Sequence, residues 1–282
     1  QPPAHSLTRR QSAHSLAILA LCGEGKGIEK MAQDTKIEWA DHTWNPWMGC
    51  TKVGPPCDNC YAEDLMDNRY GKVAWGNDGD RVRTSASTWN QLRKWNRIAG
   101  EQGKDAFVFS LSLGDIWDNR VPMAWRREAF DRARECPNLV MLYLSKRIGN
   151  AIDMAIECGG FPPNAALGAT FGSQADYDRD RIKLKNAGAA LGALFTFGSF
   201  EPLLGPVILD CNAPDWIIVG GESGRNARPM DIQWARDLRD QSIAFGRVFN
   251  FKQVGGRGAD KGGHQLDGKT YFERPVVERL AR

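Results

Sequence analysis

Three cysteines, Cys50, Cys57 and Cys60, crowd into the stretch GCTKVGPPCDNCYAEDL, Gly49–Leu65. The chain has only seven cysteines, and Cys22, Cys136, Cys158 and Cys211 stand singly. Cysteines in cores behave as small hydrophobes, whereas these three lie in a polar turn beside Pro55 and Pro56. Thiolates are soft ligands that select zinc, copper(I) or iron–sulfur clusters. A structural zinc site takes four ligands, commonly from two paired knuckles. Here one Cys-x-x-Cys pair is joined by a single upstream cysteine, and no second pair exists. A fourth zinc ligand could be His42 or His264. Three close thiolates with no obvious fourth suit a [4Fe–4S] cluster with one open iron, able to bind and reduce a substrate or cofactor. Gly49, Gly54, Pro55 and Pro56 would let a short loop wrap such a cluster and turn its amides toward the sulfurs.

A loop of this kind needs a scaffold. Short, continuously apolar runs recur along the chain: Phe107–Ser112, Leu139–Leu144, Ala165–Thr170, Ala193–Gly198, Trp216–Gly220 and Arg247–Phe251. An earlier one, about Thr43–Met48, leads into the cysteines. Runs without alternation are expected of parallel strands covered on both faces. Amphipathic segments separate them, among them Pro122–Glu135 and Asp231–Gly246, the latter with Asp231 as N-cap. Strand–helix alternation predicts an α/β protein: a parallel (β/α) barrel, incomplete at about seven strands, with outer helices.

Polar residues gather just after nearly every strand. They are Cys50, then Asp115 and Asp118, then Ser145, Lys146 and Arg147, then Gln174 and Asp176, then Glu201, then Gly220, Gly221 and Glu222, and finally Lys252 and Gln253. The C-terminal rim of a β/α barrel is where sites are built, so this rim is the expected site. The GGESG run, Gly220–Gly224, lacks the lysine of a phosphate loop. Lys252 could neutralise a phosphate or carboxylate, and Lys252 with Gln253 is assigned to substrate.

Net charge is +3, from 37 basic and 34 acidic residues, so global charge does not point to nucleic acid. One stretch does. Arg81–Arg97 carries basic residues without acidic ones, interleaved with Trp89 and Trp95. Such a pattern fits phosphates and stacked bases. It equally fits an amphipathic helix that buries its tryptophans, which is the preferred reading. Leu16–Cys22 is too short to span a bilayer. Residues 1–30 are expected to be a disordered or non-native extension ahead of a single domain, 31–282. The odd, scattered cysteine set argues against a disulfide framework and for a cytoplasmic setting.

Taken together, KIEWADHTWNPWMGCTKVGPPCDNCYAE, LSKR, FEPLLGPV, DWIIVGGESGRNARPM, WARDLRDQ and FNFKQVGG resemble a family of phage- and prophage-encoded, radical-SAM-like proteins with a three-cysteine motif. The resemblance spans most of 35–275. It implies a partial barrel of the radical SAM type, Cys50, Cys57 and Cys60 as cluster ligands, and S-adenosylmethionine as cofactor. It also implies a flavodoxin-like or ferredoxin-like reductant and a genetically linked three-cysteine-motif partner protein. Cofactor contacts would fall to Asp115 for the amino group and to Lys146 or Arg147 for the carboxylate. Glu201, Gly220, Gly221 and Glu222 would complete the cofactor or substrate site.

Several residues depart from the pattern. Six residues, not three, separate Cys50 from Cys57. The GGE run comes late, at Gly220–Glu222, so the amino-group role of an early GGE cannot be carried over. Phe200 stands where a cysteine is expected, and Gly172-Ser173 where a Glu-Asn pair is expected. The expected function is radical SAM chemistry on a nucleic-acid base, nucleotide or related small molecule. The alternatives are a metal-stabilised binding module without turnover, and a degenerate barrel using its cluster for electron transfer or DNA sensing.

Overall fold

The protein is described here by a computed structural model over residues 37–277; the expected extension at 1–30 lies outside the described residues. Seven strands form one sheet: β1 (His42–Trp44), β2 (Ala106–Ser110), β3 (Leu139–Ser145), β4 (Ala165–Thr170), β5 (Thr196–Phe200), β6 (Trp216–Gly220) and β7 (Val248–Gln253). They are all parallel and hydrogen-bonded in sequence order. Five principal helices lie between them: α1 (Ala86–Gln102), α2 (Met123–Arg134), α3 (Ala151–Glu157), α4 (Gln174–Leu191) and α5 (Ile232–Ala244).

Strands added in order, with crossovers of one hand, put every helix on the same face of the sheet. Burial follows that rule. Val108, Met141, Leu167 and Val219 share one core with helix residues such as Leu92, Phe130, Leu184 and Leu238. The alternate strand positions, Phe107, Phe109, Val140, Leu142, Phe197 and Ile218, form a second core with no helical member.

That second core shows that the sheet curls. In a flat sheet β2 and β6 would stand about 19 Å apart, four spacings of roughly 4.8 Å. Yet the rings of Phe107 on β2 and Trp216 on β6 lie 6.2 Å apart, edge to face. Phe195 reaches Phe107 at 6.3 Å, and Trp39 sits against both Phe109 and Trp216. Aromatic side chains thus fill the interior of a partial barrel. Glycine makes room for them: a Cβ on Gly168 would stand 2.4 Å from the Phe197 ring.

The helices start and stop by ordinary signals. Ser85, Ser173 and Asp231 cap α1, α4 and α5, each accepting a backbone amide of the first turn. Gly103 and Gly192 end α1 and α4 in left-handed conformation. The β5–β6 connection departs from strand–helix alternation: residues 201–215 contain no helix. Trp89 and Trp95 are buried on α1, and Arg83 lies over the Trp89 ring at 3.9 Å. The basic stretch is therefore the core-packing helix, and neither tryptophan offers a face to a base. No helix among the described residues is long and apolar enough to cross a membrane.

Candidate functional site

The cysteine loop leaves β1 through Gly49, whose φ of 103° suits glycine alone. A Cβ there would stand 3.0 Å from Val73 and 3.1 Å from Arg81. Pro55–Cys57 forms a single 3-10 turn with proline in its first positions. Cys60 caps a short helical run that continues with π geometry over Asp64–Arg69. Side chains pin the loop at intervals. Tyr61 Oη donates to the Ser112 carbonyl at 2.8 Å. Lys52 Nζ donates to the Asp58 carbonyl at 3.2 Å and pairs with Glu63 at 2.7 Å. Buried Arg81 bonds Asp118 at 2.7 Å and Thr51 Oγ1 at 2.8 Å.

This loop and the C-terminal ends of the strands enclose a cavity of about 550 Å³, a volume within the range of small-molecule sites. Cys50, Cys57 and Cys60 all line it, as do Asp115, Lys146, Arg147, Glu201, Glu222 and Lys252. Gly220, Gly221 and Gln253 lie outside the lining. Gln253 is buried, and its amide donates to the Gly221 carbonyl at 2.9 Å. A Cβ on Gly221 would fall 1.9 Å from the Val254 carbonyl oxygen, so this glycine lets the β6 and β7 loops touch. Apolar side chains, Trp39, Phe109 and Leu144, line the same cavity.

The thiols differ in setting. Cys57 is buried, while Cys50 and Cys60 are half-buried. Burial pushes the Cys50 thiol up to about 11, an effect that Asp115 reinforces and Arg147 opposes. Arg147 Nη1 donates to Cys50 Sγ at 3.3 Å and to Asp115 Oδ2 at 3.1 Å, and Nη2 donates to the Thr51 carbonyl at 2.6 Å.

Hydrogen bonding sorts the carboxylates. A carboxylate offers about four acceptor positions. Asp115 fills all of them: Trp117 N at 2.9 Å and Ser145 Oγ at 2.7 Å on one oxygen, Lys146 N at 3.3 Å and Arg147 on the other. Glu222 also accepts four bonds, three on Oε2 from Asn59 Nδ2 at 3.0 Å and from the amide and Nε of Arg228, and one on Oε1 from Arg228 Nη2. Burial alone would raise its carboxyl, but these bonds win and hold it below the usual glutamate range. Glu201 pairs with Lys252 and keeps acceptor positions open. The ammonium of Lys146 has no ion-pair partner among the described residues.

Arg228, Asn59 and Tyr61 also belong to the site, and the sequence alone does not single them out. Arg228 joins Glu222 to Asp58 Oδ2 at 3.1 Å and to the Pro55 carbonyl at 2.9 Å, so it ties the cysteine loop to the loop after β6. Its only sequence signal is a place in the GGESGRNARPM run. A Gly-rich loop after β7 also reaches the cavity through Gly256, Arg257 and Lys261.

Among the described residues no group of three or more His, Cys, Asp or Glu side chains is placed to hold a single metal ion. His42 stacks on Trp95 with centroids 4.3 Å apart, and His264 lies beside Glu38 and Phe272. Neither lines the cavity, so neither supplies the fourth ligand of a zinc site there. Cys136 and Cys158 are buried in the helix-side core, and Cys211 is exposed elsewhere. Phe200 is also in that core, 5.2 Å from Phe171. Gly172 abuts the cysteine loop, where its Cβ would meet Pro56 Cγ at 2.5 Å. Ser173 caps α4.

A sequence model of the family described as "Protein of unknown function (DUF5131)" matches residues 34–275. No curated protein matches. Among solved structures, a spore photoproduct lyase mutant with bound AdoMet and dinucleoside spore photoproduct aligns at 9% identity and a TM-score of 0.43. The alignment covers 72% of this chain and 61% of that one.

Proposed function

This chain belongs to the DUF5131 family, and from the chemistry of its cavity we propose that it is a radical S-adenosylmethionine enzyme using a [4Fe–4S] cluster. The observation that carries this reading is the convergence of three thiols, from one loop, on the C-terminal mouth of a partial barrel. The donor set fits the group. Each thiolate around a cubane binds a different iron, so the three need not close on one point, and a missing fourth ligand leaves one iron open. When bound, such a cluster would supply one electron to the sulfonium compound, breaking its S–C5′ bond to release methionine and a 5′-deoxyadenosyl radical, which would take a hydrogen atom from substrate to become 5′-deoxyadenosine.

The protein's own side chains would bind and orient. Cys50, Cys57 and Cys60 would hold the cluster. Asp115, with its acceptor positions filled, serves to fix the Lys146–Arg147 turn. Lys146 remains for the carboxylate of the cofactor, and Glu201, beside Lys252, for its ammonium or ribose. Trp39, Phe109 and Leu144 would exclude water from the base of the site. The surplus of cationic over acidic lining residues favours a substrate bearing phosphate, such as a nucleotide or nucleic-acid base in its strand. Turnover would need a flavodoxin-like or ferredoxin-like reductant. A genetically linked three-cysteine-motif protein is the further partner proposed.

Anaerobic reconstitution followed by iron and sulfide analysis tests the reading. The expected result is a brown protein with about four of each per chain, forming 5′-deoxyadenosine from S-adenosylmethionine under reduction. A colourless protein that takes up zinc instead, and loses its fold to a chelator, would replace the enzyme with a metal-stabilised binding module.

A further inference from the structure

The sequence offers Arg147 as a candidate for the cofactor carboxylate, but its guanidinium is engaged elsewhere. It packs against the cysteine loop, its side chain only 10% exposed. One nitrogen, Nη1, is shared between Cys50 Sγ at 3.3 Å and Asp115 Oδ2 at 3.1 Å. The other, Nη2, holds the Thr51 carbonyl, the residue next to Cys50, at 2.6 Å. Ser145, at the end of β3, fixes both ends of the pair. Its Oγ donates to Asp115 at 2.7 Å and accepts the Arg147 amide at 2.8 Å. The guanidinium is therefore locked in place before any ligand enters.

We propose that Arg147 is a positioning residue that acts through Cys50 to set the reduction potential of the cluster, with Asp115 as its counterweight. The inference rests on the cluster reading above. Hydrogen bonds to the sulfurs and local charge set such potentials. Reduction adds one electron to a group already held by three anionic thiolates. A fixed cation donating to one of those sulfurs stabilises the reduced form more than the oxidised form, and so raises the potential. Asp115 is a buried anion on the same nitrogen and pulls the other way. Asp118, the other carboxylate nearby, is closed by Arg81 at 2.7 Å. The two members of one contact thus make opposite contributions, which a purely structural pair would not.

The test is a redox titration of the anaerobically reconstituted protein, followed by electron paramagnetic resonance, with iron and sulfide counted in each variant. Arg147→Gln is expected to lower the midpoint, shifting the oxidised-to-reduced ratio at fixed potential at least tenfold, or about 59 mV for a one-electron couple. Asp115→Asn is expected to raise it. Arg147→Lys, which keeps the charge but loses the fork, should fall between wild type and Arg147→Gln. If Arg147→Gln does not assemble a cluster, the Asp115→Asn and Arg147→Lys shifts decide. Fully loaded variants with an unchanged midpoint, or with shifts of the same sign, overturn the inference and leave the cluster reading standing. A wild-type protein that takes up no iron and sulfide removes both.

Discussion

The side chains of Asn59 and Glu222 meet at 3.0 Å, although 163 positions separate them in the sequence. Arg228 completes the contact by bonding both oxygens of Glu222 while reaching Asp58 and the Pro55 carbonyl. The cysteine loop is thereby held to the loop after β6 by one buried carboxylate. Removing its cation should be costly, because Glu222 is only 6% exposed. Arg228→Ala is expected to lose about 2–3 kcal/mol of stability, the value of charged hydrogen bonds that leave a buried partner unmatched. It should also slow iron uptake. Urea unfolding and the rate of cluster assembly check this; wild-type values for both would detach the clamp from the site.

The same carboxylate gives a pH dependence. Its folded pKa is depressed, since burial is outweighed by the bonds from Arg228 and Asn59. A depressed carboxyl contributes stability that is fully present above the unfolded glutamate value, about 4.3. That contribution fades as pH falls through the lower folded value. The stability advantage of wild type over Glu222→Gln should therefore be flat near neutrality and shrink in acid. Denaturation series at stepped pH measure it, and an advantage that grows as pH falls contradicts the assignment.

Much of the scaffold was legible in the sequence, for reasons of pattern. Ala165–Thr170 and Trp216–Gly220 form strands as predicted, because an apolar run bounded by turn residues leaves little choice. The fifth strand begins at Thr196 and not Ala193. Gly192 ends α4 in left-handed conformation, and the Ala193 amide turns back to the Gly188 carbonyl, so Ala193 serves the helix exit, while Leu194 and Phe195 already bond to Ala165 and Leu167 of β4 as the lead-in to the strand. Pro46 likewise separates β1 from the two-residue strand Trp47–Met48. The three cysteines were legible because their residue type is rare and their spacing short. The partners of Arg147 and Glu222 were not. They depend on contacts across 97 and 163 positions, and no local pattern records which carboxylate will have its acceptor positions filled.

The thiols divide by location, and substitution should divide them in the same way. Cys50→Ala, Cys57→Ala and Cys60→Ala should each abolish visible absorbance and cut bound iron, with the fold intact by circular dichroism. Cys136→Ala and Cys158→Ala, in the helix-side core, should keep the colour and lose about 1 kcal/mol of stability. Colour lost in the second group and kept in the first would overturn the ligand set.

Gly172 tests whether the loop must lie against β4. A methyl group there would stand 2.5 Å from Pro56 Cγ and 3.2 Å from the Pro202 carbonyl, so the loop would have to move. Gly172→Ala is expected to lower iron and sulfide per chain and to cost about 1–3 kcal/mol, as overpacking does. Gly149→Ala, with nothing within 4 Å of the added carbon, is the control and should load as wild type does. Equal loading of the two variants would show that the loop is not seated by this contact.

The proposed cofactor contacts follow from which charges remain available. Asp115 has its acceptor positions filled and Glu222 is neutralised by Arg228, whereas Glu201 meets only Lys252 among the described residues, and Lys146 faces the cavity. An amino acid with its ammonium at Glu201 and its carboxylate at Lys146 would make a charge-assisted bond at each end. Glu201→Gln and Lys146→Met are each expected to weaken S-adenosylmethionine binding by about 1.5–3 kcal/mol, roughly ten- to more than one-hundred-fold in Kd. Iron content should be unchanged, because neither side chain touches a cysteine. Equilibrium dialysis against the anaerobically loaded protein reads the effect directly. Wild-type affinity in both variants would move the cofactor away from these two residues, and an equal loss in Lys252→Met alone would assign Glu201 to its ion pair.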